Sequence, residues 1–212
     1  MTWDILNIIG TMAFAISGAI VALEEEFDLF GVYLLGFVTA FGGGIIRNVL
    51  LGLPISDIWN QDVLFTVAFI TMTLLFFIPF HWVLGFKKLW GVFFDAIGLA
   101  SFAVQGALFA VMAGYPMSAV IVAGVLTGTG GGVIRDMLAD RKPLVLHQEI
   151  YAIWAVLGAM AVGFGLATTM WQFILLIVAI VILRMFSVVY QWSLPSRFDW
   201  LRQLKKFKRQ GE

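Results

Sequence analysis

A chain of 212 residues that is 61% hydrophobic and 12% charged, with a mean hydropathy of +0.98, carries more apolar surface than a soluble domain of its size can bury, and reads as an integral membrane protein. Lys plus Arg number 13 and Asp plus Glu 13, so the net charge is zero and nothing global favours a nucleic-acid partner. The absence of cysteine excludes disulfides, thiolate catalysis and cysteine-ligated zinc.

A hydrocarbon core of roughly 30 Å takes about 20 mostly apolar residues per helix. The first such run, residues 4–23, holds Asn7, Gly10 and Gly18 and has no basic segment before it, so it reads as a retained span and not a cleaved leader. Glu24-Glu25-Glu26-Phe27-Asp28 separates it from a second run, 30–51, which contains Thr39, Gly42-Gly43-Gly44, Arg47 and Asn48. After Leu53-Pro54-Ile55-Ser56-Asp57 comes a third, 62–80, and after the stretch from His81 to Lys88 a fourth, 89–112, with Asp95 near its start. Gly114-Tyr115-Pro116 leads into a fifth, 116–138, with Thr127, Gly130-Gly131-Gly132, Arg135 and Asp136. Asp140-Arg141-Lys142-Pro143 and Thr168-Thr169 mark off a sixth, 149–167, and a seventh, 171–190, whose Leu/Ile/Val-rich part from Phe173 to Leu183 suits lipid contact or subunit packing. A basic tail with Arg197, Arg202, Lys205, Lys206, Lys208 and Arg209 follows, a topology anchor that can also meet anionic lipid head groups.

The chain repeats itself. Phe41-Gly42-Gly43-Gly44-Ile45-Ile46-Arg47-Asn48 returns as Thr129-Gly130-Gly131-Gly132-Val133-Ile134-Arg135-Asp136, at a spacing of 130 − 42 = 88. The same offset pairs Gly10 with Gly98, Phe14 with Phe102, Gly18 with Gly106, Gly36 with Gly124, Thr39 with Thr127 and Asn7 with Asp95. Three spans per repeat is an odd number, so the second copy enters the membrane from the opposite face. The fold class predicted is therefore an all-α polytopic membrane protein of about seven transmembrane helices, two inverted three-helix repeats plus a seventh helix. Its segments are 1–86, 87–168, 169–192 and the tail 193–212. Lys87, Lys88, Arg141, Lys142 and the tail fall on one side, which the positive-inside rule makes cytoplasmic, leaving the amino terminus outside.

Three consecutive glycines within an apolar span cost a helix about 1 kcal/mol each relative to alanine. Close helix packing accounts for the single glycines. The triplets are expected to kink or unwind their helices, freeing backbone groups that must face protein or a water-filled cavity. Freed carbonyls suit a partly dehydrated K⁺ or Na⁺; freed amides suit a carboxylate or phosphate. Gly128-Thr129-Gly130-Gly131-Gly132 is no dinucleotide loop, because no strand precedes it.

Arg47 and Arg135 need partners or water within the membrane. Asp95 is the partner expected for Arg135, and the neutral Asn7 takes the same place in the outer half, with Asn48 and Asp136 following their arginines. These six residues read either as a polar lock that fixes register or as the lining and gate of a path. Thr39 and Thr127 either add hydroxyl ligands or bond back to the helix. His81 and His147 fall in loops, as solvated residues or pH sensors. No nucleophile, base and orienting group converge by spacing, and no transition-metal cluster exists, so no enzyme and no cofactor is expected.

The doubled motif Gly-Gly-Gly-x-Ile-Arg-(Asn/Asp), with Asp95-Ala96-Ile97-Gly98-Leu99-Ala100-Ser101-Phe102 opening the second half, resembles the bacterial branch of the TRIC family, the trimeric intracellular cation channels. The resemblance covers nearly the whole chain. It implies a homotrimer in a bacterial inner membrane, each subunit having its own K⁺- and Na⁺-permeable pore bounded by the first, second, fourth and fifth spans. The lysine-containing motif of the animal members is absent, and with it the basis for their calcium and lipid regulation. Bacterial relatives of this family are also assigned as glycine transporters, so a secondary transporter of a small amino acid is the alternative to a channel.

Overall fold

The apolar runs fold as helices, and the polar breaks between them are where the helices stop. A computed structural model describes residues 2–78, 87–147 and 150–192. The helices are α1 (Thr2–Glu24), α2 (Leu29–Leu50), α3 (Asp62–Phe77), α4 (Lys87–Met112), α5 (Met117–Leu138), α6 (Ala152–Gly163) and α7 (Met170–Val189). A 3₁₀ segment, Ile55–Asn60, and a single helical turn, Leu144–His147, lie in the connections. No strand occurs among the described residues. His81 and the tail from 193 lie outside them, as do the side chains of Lys87, Lys88 and His147.

Five of these helices are long and apolar enough to cross a bilayer. The third and sixth runs are shorter than the expected 62–80 and 149–167. With 16 residues in α3 and 12 in α6, they reach about 24 and 18 Å at 1.5 Å per residue. The reasons are local. Helix α3 stops because Ile78 turns extended, at φ −69° and ψ 130°. Helix α6 closes at Gly165, whose φ of +72° lets Leu166 N–H reach the Ala161 carbonyl and Gly165 N–H that of Val162, a Schellman ending. Helices α2 and α5 end the same way, on Gly52 at φ +64° and on Asp140 at φ +53°, two positions 88 apart.

At the centre α1, α2, α4 and α5 pack on one another; α3 covers α1 and α2, α6 covers α4 and α5, and α7 lies against α4 and α6. Positions 88 apart make matching contacts. Phe14 meets its own counterpart Phe102 with ring centroids 5.3 Å apart. Gly18 sits against Leu35, Gly36 and Thr39, while Gly106 sits against Ala123 and Thr127. Outside, Trp171, Leu175, Val178, Ile182, Phe186 and Val189 form an exposed apolar stripe along α7, which is the polarity a lipid environment requires.

The glycine triplets do not break their helices. Hydrogen-bonded helix continues through Gly42 to Gly44 in α2 and through Gly130 to Gly132 in α5. What the glycines supply is contact between the two backbones. A Cβ on Gly43 would stand 2.1 Å from the Thr127 carbonyl oxygen, and one on Gly131 would stand 2.0 Å from that of Thr39. Since 43 faces 127 while 39 faces 131, α2 and α5 run antiparallel through this crossing. At Gly43 and Gly131 the propensity cost is met by an approach that no side chain would permit, as small-residue membrane interfaces achieve in general.

Candidate functional site: two buried arginine clusters

Because the crossing is antiparallel, Arg47 and Arg135, each in the last turn of its helix, emerge at opposite ends of it. A helix C-terminus favours a cation, yet both side chains are buried, Arg47 at 6% and Arg135 at 2% exposure, and burial of a charge demands partners. The third glycine of each triplet faces these clusters. A Cβ on Gly44 would meet only the Arg47 Nη2, at 3.9 Å, and one on Gly132 would meet the Tyr151 hydroxyl, Asp95 Oδ1 and Arg135 Nη2 at 3.5–3.7 Å.

In the second repeat the partners are ionic. Arg135 Nη1 donates to Asp95 Oδ1 at 2.7 Å and to Ser17 Oγ at 2.6 Å, and Nε donates to Asp136 Oδ1 at 2.8 Å. The other Asp136 oxygen accepts the Leu144 amide at 3.0 Å, tying the cluster to the loop after α5. Tyr151, buried at the start of α6, packs beside Asp95, and the Arg184 guanidinium of α7 lies 4.9 Å from the centre of the Tyr151 ring.

In the first repeat the partners are neutral. Arg47 Nε and Nη2 both donate to Asn48 Oδ1, at 3.1 and 2.9 Å, and Nη1 donates to Gln105 Oε1 at 3.2 Å. Gln105 Nε2 donates in turn to Asn7 Oδ1, and Asn48 Nδ2 donates to the Pro54 carbonyl at 2.9 Å. The ring of Phe109 lies 3.9 Å below the guanidinium. Beside it is a cavity of about 20 Å³ lined by Asn7, Thr11, Gly44, Arg47, Gln61 and Gln105 among others.

Asp95 and Arg135 thus meet as expected, whereas Asn7 reaches Arg47 only through Gln105. Asn48 and Asp136 each clamp the preceding arginine to the following loop. The Thr39 and Thr127 hydroxyls bond back to the Leu35 and Ala123 carbonyls, at 2.6 and 2.5 Å, and both residues are fully buried. Four participants escaped the sequence reading. Ser17 and Gln105 are themselves 88 apart, and each serves the arginine of the other repeat. Arg184, only 1% exposed, was signalled by a lone arginine late in an otherwise apolar span; Tyr151 carried no signal in the sequence. Among the described residues no group of three or more His, Cys, Asp or Glu could hold a metal ion.

A duplicated, all-helical membrane protein with apolar exterior and two ionisable clusters in its core is the class defined by this arrangement. The family model described as "Glycine transporter" matches it twice, at residues 4–79 and 92–167, and 92 − 4 is again 88. The UPF0126 membrane protein YvgT of Bacillus subtilis is 54% identical over 197 residues, covering 93% of this chain and 97% of that relative. The inner membrane protein YadS of Escherichia coli K12 is 40% identical over 158 residues, covering 73% and 74%. Among solved structures, a prokaryotic TRIC channel crystallised in 0.5 M KCl has a TM-score of 0.83 at 33% identity, over 91% of this chain and 98% of that one. The TRIC orthologue from Rhodobacter sphaeroides has a TM-score of 0.79 at 32% identity, over 89% and 97%. The chain belongs to the bacterial branch of the TRIC family.

Proposed function

We propose that the protein is a passive K⁺-permeable cation channel of the bacterial inner membrane, a homotrimer with one pathway per subunit between α1, α2, α4 and α5. The observation that carries this reading is the pair of buried polar clusters at opposite ends of the α2–α5 crossing, inside a protein whose exterior is apolar. Intramembrane ionisable groups placed this way mark ion and substrate pathways. The solved structures it resembles at 32–33% identity are TRIC channels.

In this reading residues 1–86 and 87–168 are inverted repeats of three membrane helices each, 169–192 adds the seventh, and the basic tail is cytoplasmic with the amino terminus outside. The ion passes the flanks of unbroken helices where Gly44 and Gly132 leave the backbone bare, with the other triplet residues, Thr39 and Thr127 setting the close approach of the helices around the path. Arg47, Arg135, Asp95, Asn7, Asn48 and Asp136 form the two gates. The second reading, a secondary transporter of glycine, draws on the name of the matching family model. Against it stands the size of the Arg47 cavity, about 20 Å³, room for about one water-sized species.

The test is single-channel recording of the purified protein in a planar bilayer under a KCl gradient, with and without millimolar glycine. Cation-selective steps indifferent to glycine are expected, and they should vanish in Gly44→Leu, whose Cβ would have only the end of Arg47 within 4 Å. A silent bilayer with saturable glycine uptake in matched liposomes overturns the channel and makes the protein a transporter.

A further inference from the structure

We propose that the Arg47 cluster is a binding site for a small monovalent anion of chloride size. The second repeat supplies the template. There a carboxylate, Asp95, stands on Arg135 Nη1 at 2.7 Å and a second, Asp136, holds the other edge of the guanidinium. At the equivalent positions the first repeat has Asn7 and Asn48, which carry no charge.

Arg47 remains a cation under any condition a protein tolerates, and a buried cation without a counter-charge is costly. Among the described residues its hydrogen-bond acceptors are the amide oxygens of Asn48 and Gln105, which solvate a charge without neutralising it. Three of the five N–H groups of a guanidinium are spent on those oxygens, leaving one on each terminal nitrogen with no protein acceptor among the described residues. Arg47 borders the cavity that Asn7, Thr11, Gln61 and Gln105 also line. A volume of about 20 Å³ holds about one water, which limits the occupant to a single-atom ion and is too small for an amino acid or a phosphate. The site therefore takes from a diffusible anion the counter-charge that Asp95 builds into the other half.

The inference does not depend on what crosses the membrane, so its test does not use transport. Thermal unfolding of the full-length protein in detergent is compared in KCl, KBr and potassium gluconate at equal ionic strength. Chloride and bromide should raise the wild-type Tm by about 3 °C over gluconate, the shift given by a ligand at roughly tenfold excess over its Kd. Asn7→Asp, which supplies a carboxylate where Asp95 stands in the other repeat, should lose the halide response, and Arg47→Gln should lose it too. Crystals of the wild type grown in bromide should show an anomalous peak within hydrogen-bond range of Arg47 and none beside Arg135. An equal halide shift in the variants, or no bromide at Arg47, overturns the proposal, whether or not the protein conducts.

Discussion

The two halves of this molecule share a backbone plan and differ in how they hold an arginine. Around Arg135 the counter-charges are built into the protein, as Asp95 and Asp136. Around Arg47 the same geometry is built from amides and an aromatic face. The glycine contacts are interchangeable between halves while the polar contacts are not. Duplication has preserved what sets helix distance and has let the electrostatics diverge.

The crossing should be the most sensitive part and equally so from both sides. Gly43→Leu and Gly131→Leu each drive a side chain into the partner's backbone carbonyl, where nothing flexible can yield. Loss of more than about 3 kcal/mol, read as failure to recover folded protein by size exclusion, is expected for both; survival of either one would separate the halves at their closest point.

The arginines should then break the equivalence. Arg135→Gln strands two buried carboxylates and is expected to cost about 3–5 kcal/mol in detergent unfolding. Arg47→Gln strands no charge and should cost about 1 kcal/mol or less. Equal losses would show that the clusters are energetically alike despite their composition.

A smaller asymmetry lies at the helix ends. Asp140 pays for a left-handed backbone that Gly52 adopts freely, so Asp140→Gly should stabilise the protein by roughly 0.5–1 kcal/mol and Gly52→Asp should destabilise it by a similar amount, both measured as shifts in Tm. The smallest effect belongs to the exposed clasp in which Arg141 reaches Glu24 at 2.7 Å and Glu25 at 2.5 Å. Partial burial works against the Arg141 charge, and the hydrogen bonds to Glu24 and Glu25 more than reverse that, holding its pKa above the usual value. Arg141→Ala should still cost under about 1 kcal/mol, and less at high salt.

Much of this was legible in the residues. The 88-residue period matched Asn7 with Asp95 and Arg47 with Arg135 and marked both triplets, because a repeat exposes equivalent positions before any coordinate is known; the need of a buried cation for a counter-charge then paired Asp95 with Arg135. The conformation of the triplets was misread because propensity describes a helix in isolation, whereas the compensating contact, Gly43 on Thr127 and Gly131 on Thr39, is between helices far apart in sequence. Span length failed at α3 and α6 for a related reason: hydropathy continues past Ile78 and Phe164, but the backbone there turns out of the helix. Arg184 had no echo in the repeat, since α7 has no counterpart there, and its one signal was to be a lone arginine in an apolar span.

The exchange of polar partners between repeats has a consequence for biogenesis. Ser17 precedes Arg135 by 118 positions, so when α5 leaves the ribosome its hydroxyl partner already stands in the bilayer. Gln105 follows Arg47 by 58 positions, so α2 reaches the membrane before its amide partner exists. A nascent chain must therefore keep Arg47 hydrated at the membrane surface, or screened by the translocation machinery, until α4 arrives. The first half to be synthesised thus waits on the second for its last polar partner.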